Sequence, residues 1–323
     1  MNIGKLFISK NIYLNNMMIG RNLYYELMNL QYRLRMLVPK TIYAQITYYM
    51  KCKRFLNLKE PKTFDEKIWW LKFHYFNPLM SKCCDKWEVR KYVEDCGLAD
   101  ILTTVYGHWY DFDSLDISQI PVEEFYLKVN NTSGGNLHCF KSTFDKEAIR
   151  AQFSHLLKDN YYWHGREYNY KHVRPCIMAE QMLHNKDNSV LIDYKFLCFD
   201  GEPKLLFMDI GVANTDGTHA EEYYRNIYDM DFKPVPNMKE TRESYKIDEI
   251  VRPAEWDFML ECCRRLSKPF PHCRVDLYDV DGHVYFGEIT FFHGSGYNEF
   301  SPKEADLMVG SWIRMDRSFP NKY

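Results

Sequence analysis

Two stretches of this sequence place charged side chains where they could handle phosphate and a hard cation. In the first, Lys128 closes an apolar run and Ser133-Gly134-Gly135 follows. Glycines let backbone N–H groups turn toward an oxyanion while the lysine supplies charge, which is how a phosphate is cradled. The spacing is not that of a Walker A loop, and an ordinary turn after an edge strand accounts for the same residues. In the second, Arg274-Val275-Asp276 is followed, across a turn at Asp281-Gly282, by Glu288-Ile289-Thr290. A period of two puts Arg274, Asp276, Glu288 and Thr290 on one strand face. Two carboxylates there repel unless something positive lies between them. A magnesium ion bound by oxygens satisfies that need, and so does Arg274 salt-bridged to both acids.

Two smaller groups belong with these. Asp193-Tyr194-Lys195 sets a lysine among aromatics, suited to a phosphate in a partly dry cleft or to a plain surface strand. Glu180-Gln181-Met182-Leu183 ends an apolar run, where a strand end can offer edge donors and acceptors to a planar base or simply leave the core.

The elements that position these residues are legible as patterns. Residues 14–55 read as helical, broken near the middle by Pro39. Thr63-Phe64-Asp65-Glu66 predicts a capping box opening a helix to about Tyr75. Asp85 to Cys96 reads as a second helix closed by Gly97, Ile101–Tyr106 as a short strand, and Phe125–Val129 as the strand entering the glycine loop. An amphipathic helix is expected over 145–158 and a buried strand over Cys176–Glu180. Asp200-Gly201 joins strands 190–199 and 203–210, and Asp281-Gly282 joins 273–280 and 283–290. Residues 215–253 read as an irregular flap, and 255–267 as helical. Helices, then strand and helix, then antiparallel hairpins make an α+β pattern.

Composition bounds the rest. The 323 residues are 46% apolar and 16% aromatic, enough for two or three packed lobes. A net charge of −2 argues against a nucleic-acid partner. The balance is uneven, however: residues 1–62 carry eleven Lys/Arg against two acids, so the remainder is acidic. A basic arm suits an anionic membrane surface, or packs on the body as a solvated helix. Ten cysteines without a C-x-x-C pair, no signal-peptide pattern and no apolar run of about eighteen residues predict a cytoplasmic chain with reduced thiols.

In order and spacing, these groups resemble the ATP-grasp superfamily, and most closely its TupA-like branch, which sits in bacterial surface-polymer pathways. The resemblance runs from about Glu60 to Trp312. It rests on Pro61-Lys62-Thr63-Phe64-Asp65-Glu66-Lys67, Asp85-Lys86 with Arg90, Lys128 with Ser133-Gly134-Gly135, Asp193-Tyr194-Lys195-Phe196, Arg274-Val275-Asp276 and Phe286-Gly287-Glu288. It implies an ATP-grasp fold of two lobes gripping nucleotide: a basic arm over 1–62, an α/β part over 63–120, a small lobe over 121–185 and a large lobe over 186–323. It further implies Arg90 and Lys128 on ATP phosphates under the Ser133, Gly134 and Gly135 loop. Glu180, Gln181, Met182 and Leu183 would form the adenine hinge, and Asp193 would bind the ribose. Lys195 would contact phosphate or substrate, Arg274 would stabilise developing charge, and Asp276, Glu288 and Thr290 would hold Mg2+. Thr290 stands where most relatives have a metal-binding Asn, Asn131 where a His is common, and His293-Gly294-Ser295-Gly296 replaces a Pro-Gly turn and suggests an acceptor or acyl-phosphate site.

The chemistry so implied is an ATP- and Mg2+-dependent ligase. A carboxylate, such as that of a uronic acid, would become an acyl-phosphate and then an amide with an amino acid or amino sugar, a flap from 215–253 excluding water. Two other functions compete. A glycosyltransferase would use a D-x-D motif, for which Asp111-Phe112-Asp113 and Asp279-Val280-Asp281 are candidates. A non-catalytic component of a membrane-bound synthesis complex would use the basic arm.

Overall fold

The computed structural model describes residues 27, 30, 34–35, 37–132, 134–214, 218, 220–245 and 250–315. Most of the basic arm before Pro39 and Ser133 of the glycine loop therefore lie outside the described residues. Pro39 acts as expected: helix α1 (Lys40–Cys52) begins directly after it. Tyr43, Ala44 and Tyr48 of α1 are buried with Leu56, Trp69 and Phe73 in a small core of their own.

The capping box is present in full. The Thr63 hydroxyl accepts from the Glu66 N–H, the Glu66 carboxylate accepts from the Thr63 N–H, and α2 (Phe64–His74) follows. Helix α3 (Pro78–Cys84) has Asn77 as its cap and proline at its first position. The next helix, α4 (Val89–Asp95), starts four residues later than its pattern suggests. Asp85 is the reason: its Oδ1 accepts from the N–H groups of Trp87 and Glu88 at 2.8 and 3.3 Å and makes a separate turn.

A four-stranded antiparallel sheet comes next, in the order β1-β4-β2-β3. Its strands are β1 (Val105–Trp109), β2 (Glu124–Val129), β3 (Leu137–Phe140) and β4 (Ile177–Gln181). The strand expected over Ile101–Tyr106 is displaced, because Ile101 closes a 3-10 turn and buries in the large core instead. Helix α5 (Lys146–Lys158), capped by Asp145, covers this sheet; Phe153 packs with Phe125, Leu127, Val129 and Ile177.

The second sheet is antiparallel and five-stranded, in the order β10-β9-β5-β6-β7. It comprises β5 (Ile192–Phe199), β6 (Glu202–Ile210), β7 (Tyr224–Tyr228), β9 (His272–Val280) and β10 (His283–Thr290). At both hairpin turns Asp and Gly take positive φ: Asp200 53° and Gly201 85°, Asp281 54° and Gly282 81°. The flap expectation fails for part of its span. Residues of β7 join the sheet, and β8 (Lys239–Glu240) pairs with β11 (Phe300–Ser301). Residues 215–217, 219 and 246–249 lie outside the described residues. Helix α6 (Trp256–Ser267) covers this sheet through Met259, Cys263 and Leu266, and α7 (Lys303–Ser311) packs on α2.

Candidate active site

The five-stranded sheet carries a row of ionisable side chains across its strands. Glu288, Asp276 and Lys195 are direct partners from β10 to β9 to β5, and Asp193, Asp209 and Arg225 are direct partners from β5 to β6 to β7. Alternation along each strand puts these groups on one face.

A β-bulge makes the first row possible. Counting from the Asp281-Gly282 turn, His283 pairs Val280 and Phe286 pairs Leu277, so a regular ladder would set Gly287 opposite Asp276 and turn Glu288 to the other face. The register shifts between Phe286 and Glu288. Gly287 is extruded, Glu288 faces Asp276, and Thr290 faces Arg274. A Cβ at Gly287 would lie 3.1 Å from the Asp276 carbonyl oxygen and 3.0 Å from the Tyr278 ring.

Arg274 grips Asp276 with two nitrogens, at 2.6 and 2.5 Å, and reaches Glu288 Oε1 at 3.0 Å. The salt-bridged alternative read from the sequence is thus present. Thr290 donates to Glu288 Oε1 at 2.9 Å, so in this arrangement it orients that carboxylate. Lys195 is buried, paired with Asp193 and 3.4 Å from Asp209. Asp193 is likewise buried and turned to Lys195. Behind this row, Arg225 binds Asp209 and Glu240, and Glu240 meets His293, whose other nitrogen meets Arg274 at 3.0 Å. The His293 side chain is therefore committed inward, and Ser295 donates to Glu167 while accepting from Lys72. The His293–Gly296 turn presents neither group as a free acceptor site.

The cluster has surplus negative charge. Asp193, Asp209, Glu240, Asp276 and Glu288 face three fixed cations, Lys195, Arg225 and Arg274. Burial pushes Asp276 up to about 6 despite Arg274 and Lys195, with Glu288 adding to the rise. Burial also opposes ionised Glu288, yet Arg274 and Lys86 hold it below its ordinary value. Two facing carboxylates, Asp276 buried and Glu288 partly exposed, in a cluster with more acids than cations fit a divalent cation with oxygen ligands. Asp276 and Glu288 would hold it, and Mg2+ there would supply charge neutralisation for a bound polyphosphate.

On the first sheet, Lys128 and Arg90 both meet Glu180. Lys128 forms an ion pair with it, Arg90 lies 3.9 Å away, and the Thr103 hydroxyl donates to it. Burial opposes ionised Glu180, and Lys128, Thr103 and Arg90 overcome that and hold its pKa low. Arg90 also donates to the Thr103 carbonyl oxygen. Gln181 closes β4 by a reciprocal pair with Thr104, and Met182 and Leu183 leave the strand half-buried. Gly134 and Gly135 have φ of 82° and 76°, a conformation that side chains resist. Asn131 beside them is buried and donates to the Asp159 carbonyl oxygen.

Lys86, which is not among the site residues expected from the sequence, reaches the glycine loop. Its Nζ donates to the Thr132 carbonyl oxygen at the glycine loop. Burial lowers its pKa first, Glu288 opposes that and Lys128 adds to it, so Lys86 stands within electrostatic reach of both. Asn130 sets this position: its carbonyl accepts from the Lys86 N–H and its side chain donates to Asp85 at 2.8 Å. The Asp85-Lys86 pair in the sequence is the signal that points to it, beside the Arg90 and Lys128 that the resemblance implies.

The family model for TupA-like ATP-grasp matches residues 66–314. The chain belongs to the TupA-like ATP-grasp family. No curated protein matches it. Solved structures similar to this TupA-like chain include an L-amino acid ligase from Bacillus licheniformis, at 17% identity over 68% of this chain and 46% of that one, TM-score 0.43. A D-alanine--D-alanine ligase from Bacillus anthracis matches at 16% identity over 66% and 59%, TM-score 0.38. The D-cycloserine synthetase DcsG matches at 12% identity over 73% and 71%, TM-score 0.42. This TupA-like chain spans about half the length of the first two.

Proposed function

We propose that this protein is an ATP- and Mg2+-dependent carboxylate–amine ligase acting on a precursor of a bacterial surface polysaccharide or teichuronopeptide. The observation that carries this proposal is the facing Asp276–Glu288 pair gripped by Arg274, with Lys86 held at the glycine loop by the Thr132 carbonyl. A triphosphate between Lys86, Lys128 and the Gly134-Gly135 backbone would present its outer phosphate to the Asp276–Glu288 pair and Arg274. Ligases of amino acids among the similar structures are in keeping with this chemistry.

The reaction has two steps. A substrate carboxylate oxygen attacks the γ-phosphorus of ATP, and the bond to the β-phosphate oxygen breaks, giving acyl-phosphate and ADP. An amine then attacks the acyl carbon, phosphate leaves with the bonding pair, and the ammonium proton passes to solvent or base. The chain's part is to position the groups and to neutralise charge through Lys86, Lys128, Lys195 and Arg274. Arg90 and Glu180 would brace Lys128, and Glu180, Gln181, Met182 and Leu183 are proposed as the adenine-recognising hinge between the lobes 121–185 and 186–323. The carboxylate donor is proposed to be a uronic acid and the amine an amino acid or amino sugar.

The glycosyltransferase alternative finds little support in its motifs. Asp113 pairs with Arg150, Asp279 accepts from the Gly282 N–H, and Asp281 accepts from the Lys186 N–H, so each serves local structure. We further propose contact with an anionic membrane face. Ile42, Ile46, Tyr49 and Met50 form an exposed apolar stripe on α1, with Lys53 at its end. Among the described residues no helix is long and apolar enough to cross a membrane.

The decisive experiment incubates purified protein with ATP, Mg2+ and a matrix of uronic acids and amines, reading ADP and product mass. Amide product with stoichiometric ADP is expected. Sugar transfer from a nucleotide-sugar, without ATP use, would overturn the proposal.

A further inference from the structure

Away from the cleft, three side chains distant in sequence meet beneath the amino-terminal helix. Cys52 ends α1, Asp65 lies in the first turn of α2, and Glu299 lies between β10 and β11. The Cys52 sulfur and one oxygen of each carboxylate all lie within 4.8 Å of one another. Asp65 is fully buried, and neither of its oxygens has a hydrogen-bond partner. This sets it apart from Asp209 and Asp276, each of which is gripped by an arginine. A buried carboxylate left without a donor is costly, so its surroundings call for a compensating cation or a proton.

The nearby guanidinium does not meet that need. Arg54 Nε binds Glu299, its Nη1 lies 3.3 Å from Glu66, and its Nη2 lies 4.0 Å from Asp306. One cation is thus shared by three carboxylates before Asp65 is counted. Burial raises the Asp65 pKa well above its ordinary value, with Asp306 and Glu299 adding to the rise. Burial, Asp65 and Glu299 push the Cys52 thiol up to about 11.

The donor set selects the ligand chemistry. Magnesium and calcium take oxygen ligands, whereas a thiolate with two carboxylates suits the borderline-soft divalent ions, above all zinc. Cys52 and Glu299 are partly exposed, which leaves an entry path and room for a water as a fourth ligand. We propose that Cys52, Asp65 and Glu299 form a zinc-type metal site that fastens helix α1 to the body of the protein, separate from the magnesium of the nucleotide cleft. Binding would release the protons of the Cys52 thiol and the buried Asp65, so affinity would rise with pH.

The test titrates the full chain, stripped with chelator, with Co2+ and with Zn2+. One equivalent of Co2+ giving a sulfur-to-metal charge-transfer band is expected, together with a rise in melting temperature of about 5 °C or more at saturating Zn2+. Cys52→Ser and Asp65→Asn should abolish both responses. Asp65→Asn imitates a protonated Asp65, so its metal-free melting temperature should match that of the stripped wild type and serves as the folding control. Wild-type protein with neither band nor shift would mark Asp65 as a buried neutral acid and end the proposal. A band that persists in Cys52→Ser would place the metal on another cysteine and overturn it equally.

Discussion

Asp276 and Glu288 face each other across the β9–β10 hairpin because Gly287 is extruded between the pairs Phe286–Leu277 and Glu288–Asp276. The bulge moves Glu288 from one face of the sheet to the other and sets both carboxylates beside Arg274. A side chain at position 287 meets the Asp276 carbonyl and the Tyr278 ring. Gly287→Val is expected to keep the fold and to lower ATP turnover by about 100-fold through misplacement of Glu288. Steady-state kinetics beside a thermal melt tests this, and unchanged kcat would refute it.

Arg274 is bidentate on Asp276 and also reaches Glu288 and His293. A lysine keeps the charge but not the fork. Arg274→Lys should therefore cost about 10²–10³ in kcat, the range for losing one preorganised donor. Arg274→Ala leaves Asp276 buried beside Glu288 without its partner and should destabilise the protein by roughly 3–5 kcal/mol. Denaturant midpoints of the two variants separate these effects.

The pKa of Asp276 gives a pH signature. Its folded value, about 6, lies above its ordinary value of 3.8, so the protonated form is the one favoured by folding. That contribution is fully present below the ordinary value and is lost as pH rises through about 6. The stability of wild type minus that of Asp276→Asn should accordingly fall between about pH 4 and 6. Mg2+ binding needs the ionised carboxylate and should weaken below about pH 6. A flat difference curve in denaturant titrations would contradict this assignment.

Lys86 and Lys128 should separate in their effects. Lys128 forms an ion pair with the largely buried Glu180, so Lys128→Ala should cost both stability and ATP affinity. Lys86 makes its contact with the Thr132 carbonyl, and Lys86→Ala should raise the KM for ATP at least about tenfold with little loss of stability. Comparing KM, kcat and melting temperature for the two variants checks the contrast; equal destabilisation would argue against it.

The apolar stripe on α1 should govern membrane contact. Sedimentation with phosphatidylglycerol vesicles is expected for the wild type and not for Ile46→Glu/Met50→Glu, with weaker binding at high salt and to neutral vesicles. ATP turnover should be unchanged, since both residues point away from the body. Binding that survives the double variant would exclude this face.

Local rules wrote much of this molecule into its sequence. Thr63 and Glu66 make their capping box, Asp145 caps its helix, and Asp200-Gly201 and Asp281-Gly282 make their hairpins, because each depends on groups within a few residues. The family was legible for a similar reason, since its motifs are short and ordered. What the sequence left open is decided by contacts between distant segments. The shared face read from period two is right for Asp276 and Glu288 only because of the bulge: a regular ladder from the turn puts Glu288 on the other face, and the signal for the bulge is a lone glycine in a strand. Lys86 stands at the glycine loop because Asn130, from another element, holds its backbone there. The unpartnered Asp65 beside Cys52 and Glu299 exists only after three remote segments have packed. Hydrogen bonds within a turn are fixed by neighbours along the chain, whereas burial and the summed field of charges arise only when the chain has closed on itself.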